Sequence, residues 1–246
     1  MSPEPSTTSV AVAFCPHPPL LLPGVEGAPG VETDRLRVAC GEAVHTLLGL
    51  RPDVVLVVGE GPPGVRYGTG DAADLASWGG ARGPLPFAGG VRPGGRPLPL
   101  AHAVGAHLLD AAGHAGTRLG VAPDDLADAL AELPGPVGIL AMGDGSPRRT
   151  VKAPGALDPA AAGFDAVVAS TLAAAEPAGL AALDVVEGDR LLAAGVRTWA
   201  AVGRALAGRS ATGRLLFDEA PFGVGYLVAD WLLAEVPDGV PGWLQP

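Results

Sequence analysis

The sequence predicts an α/β domain of three layers, in which a mostly parallel central sheet is flanked by helices. Continuous apolar runs at residues 9–15, 54–58 and 137–142 are typical of strands buried on both faces. Apolar residues at helical spacing separate the first two runs. Because parallel strands need a right-handed crossover between them, we expect the first two strands to be parallel neighbours.

The first half of the chain supplies one helix and one long loop. The helix is predicted from apolar residues that recur at helical spacing and end near Gly49, namely Leu36, Cys40, Ala43, Val44, Leu47 and Leu48. Residues 59–98 are rich in Gly and Pro and show little periodicity, so we expect a long loop that contains at most an edge strand. Loops of this length in compact domains are often functional.

The second half continues the alternation of helices and strands. Asp158 followed by Pro159 is typical of a helix start, with an inward stripe of Phe164, Val167, Val168 and Leu172. The other predicted elements are helices over residues 99–112, 124–133 and 188–207 and apolar segments over residues 215–217 and 221–236. No repeat or linker divides the sequence, so residues 1–246 are predicted to form a single domain.

Composition narrows the classes of partner. The 16 basic and 26 acidic residues give a formal charge of −10, and Lys152 is the single lysine, which argues against nucleic acid or an anionic membrane. Small molecules or protein are favoured, and assembly into a homo-oligomer is left open. Cys15 and Cys40 are expected to be buried free thiols. The first residues, MSPEPSTTS, lack the basic region of a signal peptide, and no apolar run is long enough to span a membrane, so a cytoplasmic location is predicted.

The first candidate functional residue is His17, in the sequence CPHPP at the end of the first strand. Proline restricts the residue before it to extended conformations, so the imidazole is held on a stiff backbone. Either His17 is a ligand or catalytic group at the mouth of the sheet, or the prolines only terminate the strand.

Glu60 leaves the second strand and is the residue that we expect to lie nearest to His17. Parallel neighbouring strands bring their carboxyl ends to one crevice, where open α/β sheets bind ligands. The surrounding GEGPPG, residues 59–64, fits the spacing of a dinucleotide-binding loop, but Pro62 and Pro63 make a helix there unfavourable, so a turn is preferred.

The third strand runs into GDGSPRRT, residues 143–150. Glycines, Ser146 and paired arginines are compatible with an anion-binding turn, but Asp144 places a carboxylate there, and Arg148 or Arg149 could serve only to neutralise it. A structural turn is therefore favoured. The sequence has no nucleophile elbow.

The remaining histidines are expected to be packing or surface residues, since His102 and His107 are five residues apart and lie on different faces of a helix. His45 and His114 are assigned in the same way. Asp218 and Glu219 end an apolar run and are read as a solvated strand end or as carboxylates for a rebuilt site.

Taken in order, these segments resemble the class III extradiol dioxygenases, LigB-type catalytic subunits, and the related MEMO-like proteins. The segment ending in CPHPP resembles the opening strand and histidine of that family. ILAMGDGSPRR resembles a segment that ends in a Ser-His pair, PGALDPAAAGFDAVVASTL the helix that follows, and AGVRTWAAVGRAL the segment with a tryptophan near the C-terminus. Each match is short, but together they cover nearly the whole chain.

The resemblance implies a LigB-like fold and a non-haem Fe(II) site of two His and one Glu that binds a catecholate and O₂. Only His17 carries over. Gly59-Glu60-Gly61 stands where the second histidine is expected, Gly195 where the carboxylate is expected, and Pro147 where an acid–base histidine follows Ser146.

Three hypotheses follow for a crevice lined by His17, Glu60, Asp144 and Ser146. The first is a metal-dependent enzyme for a small aromatic or carbonyl substrate, with Fe(II) or another divalent metal held by a rebuilt set of His17, Glu60 and Asp218 or Glu219. The second is a metal-free binding or assembly protein. The third is an enzyme of another class, with His17 as general base, Asp144 as its partner and Ser146 in the catalytic set. We rank loss or divergence of the dioxygenase chemistry first.

Overall fold

The computed structural model describes residues 9–25, 30–80 and 83–233. Its strands are β1 (Val10–Cys15), β2 (Val54–Val58), β3 (Ala72–Asp74), β4 (Pro84–Pro86), β5 (Thr117–Val121), β6 (Val137–Met142), β7 (Ala211–Glu219) and β8 (Tyr226–Leu233). Its helices are α1 (Val31–Gly49), α2 (Leu100–Ala111), α3 (Leu126–Ala131), α4 (Ala161–Ala174), α5 (Pro177–Ala181), α6 (Val185–Arg190) and α7 (Val196–Ala205). Residues 1–8, which begin the predicted domain, and residues 234–236, which end the predicted apolar segment over residues 221–236, lie outside the described residues.

Six strands form the central sheet in the order β5-β2-β6-β1-β8-β7. β5, β2, β6 and β1 are parallel, while β8 pairs antiparallel with both β1 and β7. Successive side chains of a strand face opposite sides of a sheet, and here they enter two separate apolar clusters. One cluster contains α1 and α2, and the other contains α3, α4 and α7. The predicted three-layer α/β class is confirmed.

The expectation that the first two strands are neighbours is wrong, because β6 lies between β1 and β2. The physical reason is the width of the crossover helix. A helix with its side chains is about 10 Å across, or two strand spacings, so α1 covers the strand that it passes over. At Gly138 in β6, an added Cβ would lie 2.6 Å from Leu47 Cδ2 of α1.

The helix predicted over residues 188–207 is two helices, α6 and α7, with a break between them. Leu192 in this break has φ of 59°, in the left-handed region that costs most residues about 1–2 kcal/mol. The carbonyl of Leu191 accepts from the Ser146 hydroxyl at 2.6 Å, and the amide of Gly195 donates to the carbonyl of Asp144 at 2.8 Å. These long-range hydrogen bonds hold the break open.

The start of α4 and its buried stripe also differ from the prediction. Asp158 lies before the helix and accepts from the amide of Ala160 at 3.0 Å, and α4 begins at Ala161. Val168 and Leu172 are buried as expected, but Val167 is exposed.

Residues 59–80 and 83–98 form a loop region that contains the two-stranded sheet of β3 and β4. Tyr67 in this region forms an isolated bridge with Gly120 and so covers the outer edge of β5. Covering an edge strand limits its pairing with other chains. No helix among the described residues is long and apolar enough to cross a membrane.

Cys15 and Cys40 are buried free thiols, as predicted. The hydrogen bond with Cys40, together with burial, raises the pKa of the Cys15 thiol. The thiolate that would make Cys15 reactive is therefore disfavoured.

Two helical glycines give a matched test of the packing of α7 against α5. At Gly203 in α7 an added Cβ would lie 2.3 Å from the amide nitrogen of Ala181, whereas Gly163 in α4 has no such neighbour within 4 Å. We expect Gly203→Ala to destabilise the domain by about 1–3 kcal/mol through overpacking. Gly163→Ala should stabilise it by about 0.5–1 kcal/mol, because alanine restricts the unfolded chain. Urea denaturation of both variants measures this, and equal effects would contradict the described contact of α5 with α7.

Candidate functional site

The parallel strands β2, β6 and β1 lie side by side and end at one edge of the sheet, which we call the carboxyl edge. Glu60, Asp144 and His17 each follow one of these strand ends within two residues. The placement agrees with the rule that open α/β sheets bind ligands outside the carboxyl ends of their strands.

His17 and Asp144 are in contact at this edge. His17 is buried, and its amide donates to Asp144 Oδ1 at 2.7 Å. The Nδ1 atom of the imidazole lies 3.7 Å from the same oxygen, which is too long for a hydrogen bond. This nitrogen has no hydrogen-bond partner among the described residues. Asp144 therefore fixes the backbone of His17 and leaves its ring nitrogen unoccupied.

Asp144 also connects the end of β6 to its other neighbours. Its carbonyl accepts from the amide of Gly195 at the start of α7, and the amide of the preceding Gly143 donates to the carbonyl of Cys15 at 2.9 Å. Tyr226 lies close enough to be affected electrostatically. Burial raises the pKa of the Tyr226 phenol, and the negative charge of Asp144 raises it further.

Ser146 is fully buried and its hydroxyl has a structural role. The hydroxyl donates to the carbonyl of Leu191, and the Ser146 amide donates to Asp165 Oδ1 at 2.9 Å. Asp165 is itself buried and accepts from Arg149 Nη1 at 2.8 Å. Burial raises the pKa of Asp165, and the hydrogen bonds from Ser146 and Arg149 oppose that shift.

The paired arginines thus neutralise carboxylates other than Asp144. Arg149 pairs with Asp165, while Arg148 pairs with Asp158 at 3.4 Å and donates to the carbonyl of Gly155. These contacts support the interpretation of residues 143–150 as a structural turn.

Glu60 lines a cavity of about 420 Å³ at the ends of β2 and β5. The other lining residues come from the turns after these strands, from the end of α6, from the break that follows it and from the start of α7. They are Gly61, Pro63, Ala122, Pro123, Asp124, Asp189, Leu192, Ala193, Ala194, Val196, Arg197 and Thr198. Asp189 and Arg197 form an ion pair. Glu60 has no hydrogen-bond or ion-pair partner among the residues that the structure describes.

Glu219 ends β7 and lies outside this cavity. Both of its carboxylate oxygens accept from the guanidinium of Arg35 on α1, one of them at 3.0 Å. The same guanidinium lies 5.7 Å from the centre of the Phe217 ring. Asp218 precedes Glu219 in β7 and is exposed.

The structure does not bring His17, Glu60 and Glu219 together. β6 separates β1 from β2, and β8 separates β1 from β7. Four strand spacings of about 4.8 Å place the ends of β2 and β7 roughly 19 Å apart. No group of three or more His, Cys, Asp or Glu side chains in the described ranges could hold a metal ion. The residues present therefore do not fit the Fe(II) site that the resemblance implies.

Close packing fills two of the positions where that resemblance expects ligands. An added Cβ at Gly59 would lie 2.5 Å from Cβ of Ala101, and one at Gly143 would lie 2.3 Å from Cα of Gly195. At Gly195 an added Cβ would lie 2.3 Å from the Trp199 indole. Neither Gly59 nor Gly195 can be replaced by a ligating side chain without moving its neighbours.

His102 is a buried core residue, which agrees with the prediction that it is a packing residue. It is fully buried on α2, packs at 4.7 Å between ring centres on Tyr67, and its Nε2 lies 3.2 Å from the carbonyl of Val121. Because a carbonyl only accepts, Nε2 carries the proton. Burial lowers the pKa of His102 to about 4, while the hydrogen bond with the Val121 carbonyl opposes this shift and the electrostatic interaction with His17 adds to it. No pattern in the sequence distinguishes this environment from ordinary core packing.

No family model matches this chain, and no curated protein shows significant similarity to it.

The depressed pKa of His102 predicts that the protein loses stability in acid. The imidazole is neutral in the folded state above a pKa of about 4, whereas an unfolded histidine titrates near 6.5. The free energy of unfolding is therefore highest above about pH 6.5, and it decreases by about 3 kcal/mol as the pH falls towards 4. Urea denaturation across this range should show a smaller loss in His102→Gln than in the wild type. The exposed His45→Gln is the control, and an unchanged pH dependence in His102→Gln would contradict the assignment.

Proposed function

We propose that the chain is a divergent relative of the class III extradiol dioxygenases that binds a small aromatic or carbonyl compound at the carboxyl edge, without the iron site of that family. The observation that carries the proposal is the cavity of about 420 Å³ at the ends of β2 and β5. Its volume falls in the range of small-molecule sites, roughly 300–1,000 Å³. Its position outside strand ends is typical of ligand sites in this fold class.

The lining of the cavity supports a flat, mostly apolar ligand that carries a hydrogen-bond donor. Pro123, Leu192 and Ala194 contribute apolar surface, and Glu60 contributes a carboxylate with no partner among the described residues. A phenol or enol hydroxyl can donate to that carboxylate in a charge-assisted hydrogen bond. Glu60 and Asp124 disfavour anionic ligands, so neutral compounds are expected to bind best.

Acid–base catalysis by His17 with Asp144 is a second candidate function. It is favoured by the buried Nδ1 atom of His17, which lies 3.7 Å from the Asp144 carboxylate. Apo sites often show such long contacts, which shorten when substrate binds. It ranks second because neither residue lines the cavity.

A cavity-filling substitution tests the binding proposal. Ala194 is exposed at the wall of the cavity, so Ala194→Phe should fill the space without disturbing the core. Catechol, as a neutral aromatic probe, should perturb the backbone amides of residues 60–61 and 193–196 in NMR titrations of the wild type. Ala194→Phe should weaken this binding at least tenfold, since the ring occupies the ligand volume.

Ala173→Phe is the matched control, because Ala173 is exposed on α4 and does not line the cavity. It should bind catechol as the wild type does. Unchanged binding by Ala194→Phe, or no response of the wild type to catechol and a panel of neutral aromatic and carbonyl compounds, would contradict the proposal.

A further inference from the structure

A second cavity, of about 470 Å³, lies in the loop region beside β5 and is lined by three arginines, Arg66, Arg92 and Arg96. It shares no lining residue with the cavity at the carboxyl edge. The clustering is unexpected in a chain whose formal charge is −10. The proposed function makes no use of this cavity.

The backbone around this cavity is held in a fixed shape by Asp71. This carboxylate is buried and accepts from the amide of Gly68 at 2.9 Å and from the amide of Arg96 at 2.7 Å. The two turns touch each other, because an added Cβ at Gly95 would lie 2.0 Å from the carbonyl oxygen of Gly70. Glycine is therefore required at Gly95 for the close approach.

Two of the three guanidinium groups, those of Arg92 and Arg96, are not neutralised by a carboxylate among the described side chains. Arg66 is neutralised by Glu132 through a pair of hydrogen bonds at 2.6 and 2.7 Å. Arg92 donates to the carbonyl of Thr69, and Arg96 donates to the carbonyl of Arg66 at 3.0 Å. Neither Arg92 nor Arg96 has a carboxylate partner among the described side chains.

These hydrogen bonds to backbone carbonyls orient the two guanidinium groups before any ligand arrives. Each guanidinium has five N–H donors, so most of the donors remain free. Pre-orientation lowers the entropy that binding would otherwise cost. The Asp71 carboxylate also lines the cavity, but each of its oxygens accepts from a backbone amide, so the two guanidinium groups leave the lining with a net positive charge. The arrangement is suited to an anion that accepts several hydrogen bonds.

We propose that this cavity binds the phosphate group of a phosphorylated small molecule, through Arg92 and Arg96. Guanidinium forms bidentate hydrogen bonds with phosphate and with carboxylate alike, but a phosphate monoester has the larger negative charge and three acceptor oxygens, which favours it over a carboxylate here. The glycine-rich turns at residues 68–70 and 94–95 allow an oxyanion to approach the backbone closely.

Inorganic phosphate is the probe for this site. In NMR titrations at constant ionic strength, phosphate should shift the backbone amides of Thr69, Gly94 and Gly95 but not those of residues 193–196. Acetate at equal ionic strength should have little effect. Arg92→Gln and Arg96→Gln should each weaken phosphate binding about tenfold, the loss expected for a charge-assisted hydrogen bond. Arg35→Gln, which removes an exposed arginine on α1, should bind phosphate normally.

Because Arg92 also holds the carbonyl of Thr69, its loss could disturb the loop itself. An unshifted amide of Gly68, which Asp71 anchors, shows that the loop is intact in a variant. Arg92→Lys serves as the second variant, since it keeps the charge and should bind phosphate more tightly than Arg92→Gln. Equal responses to acetate and phosphate, or wild-type phosphate binding by Arg92→Gln and Arg96→Gln, would overturn the proposal.

Discussion

A buried carboxylate, Asp165, holds the chain where β6 ends. It accepts hydrogen bonds from the Ser146 amide and the Arg149 guanidinium, and an added Cβ at Gly225 would lie only 2.1 Å from its Oδ2 atom. A buried charge is stable only when it is paired and hydrogen-bonded, so this turn has few alternative conformations. The turn carries Asp144, whose side chain holds the amide of His17 and whose carbonyl holds the amide of Gly195. The geometry of the carboxyl edge thus depends on one ion pair that takes no part in binding itself.

The same turn shapes the cavity. Ser146 and Asp144 bind the two ends of the break between α6 and α7, and residues 192–194 within that break line the cavity. Gly143 approaches Gly195 closely, and the Trp199 indole of α7 fills the space that a carboxylate side chain at Gly195 would need. The packing that excludes the expected iron ligand is therefore the packing that positions the cavity wall.

The layers of this fold could be predicted from the sequence because they depend on local patterns. Continuous apolar runs mark β1, β2 and β6, and helical spacing marks α1 and α2. The strand order could not be predicted, because nothing within residues 10–58 indicates that β6 inserts between β1 and β2. The break at residues 191–195 is set by hydrogen bonds with Ser146 and Asp144, about 45 to 51 residues earlier in the chain.

The candidate site could be predicted from the sequence only in part, because strand ends are visible in the sequence and contacts between distant residues are not. His17 and Asp144 both follow strand ends, and the structure brings them together. Glu60 lines a cavity apart from them, and Glu219 is occupied by Arg35. The environment of His102 depends on its burial, and the roles of the arginines at the second cavity, beside β5, depend on which carboxylates are already paired. A single sequence reveals neither.

We propose that this chain binds its ligand without the iron site of the class III extradiol dioxygenases, and metal analysis of the purified protein is the decisive test. The purified protein would be loaded with Fe(II) under anaerobic conditions, desalted, and analysed for total metal beside His17→Ala treated in the same way. We expect far less than one equivalent of metal in both proteins, because His17, Glu60 and Glu219 follow or end strands that are not adjacent. One equivalent of iron in the wild type that is lost in His17→Ala would contradict it.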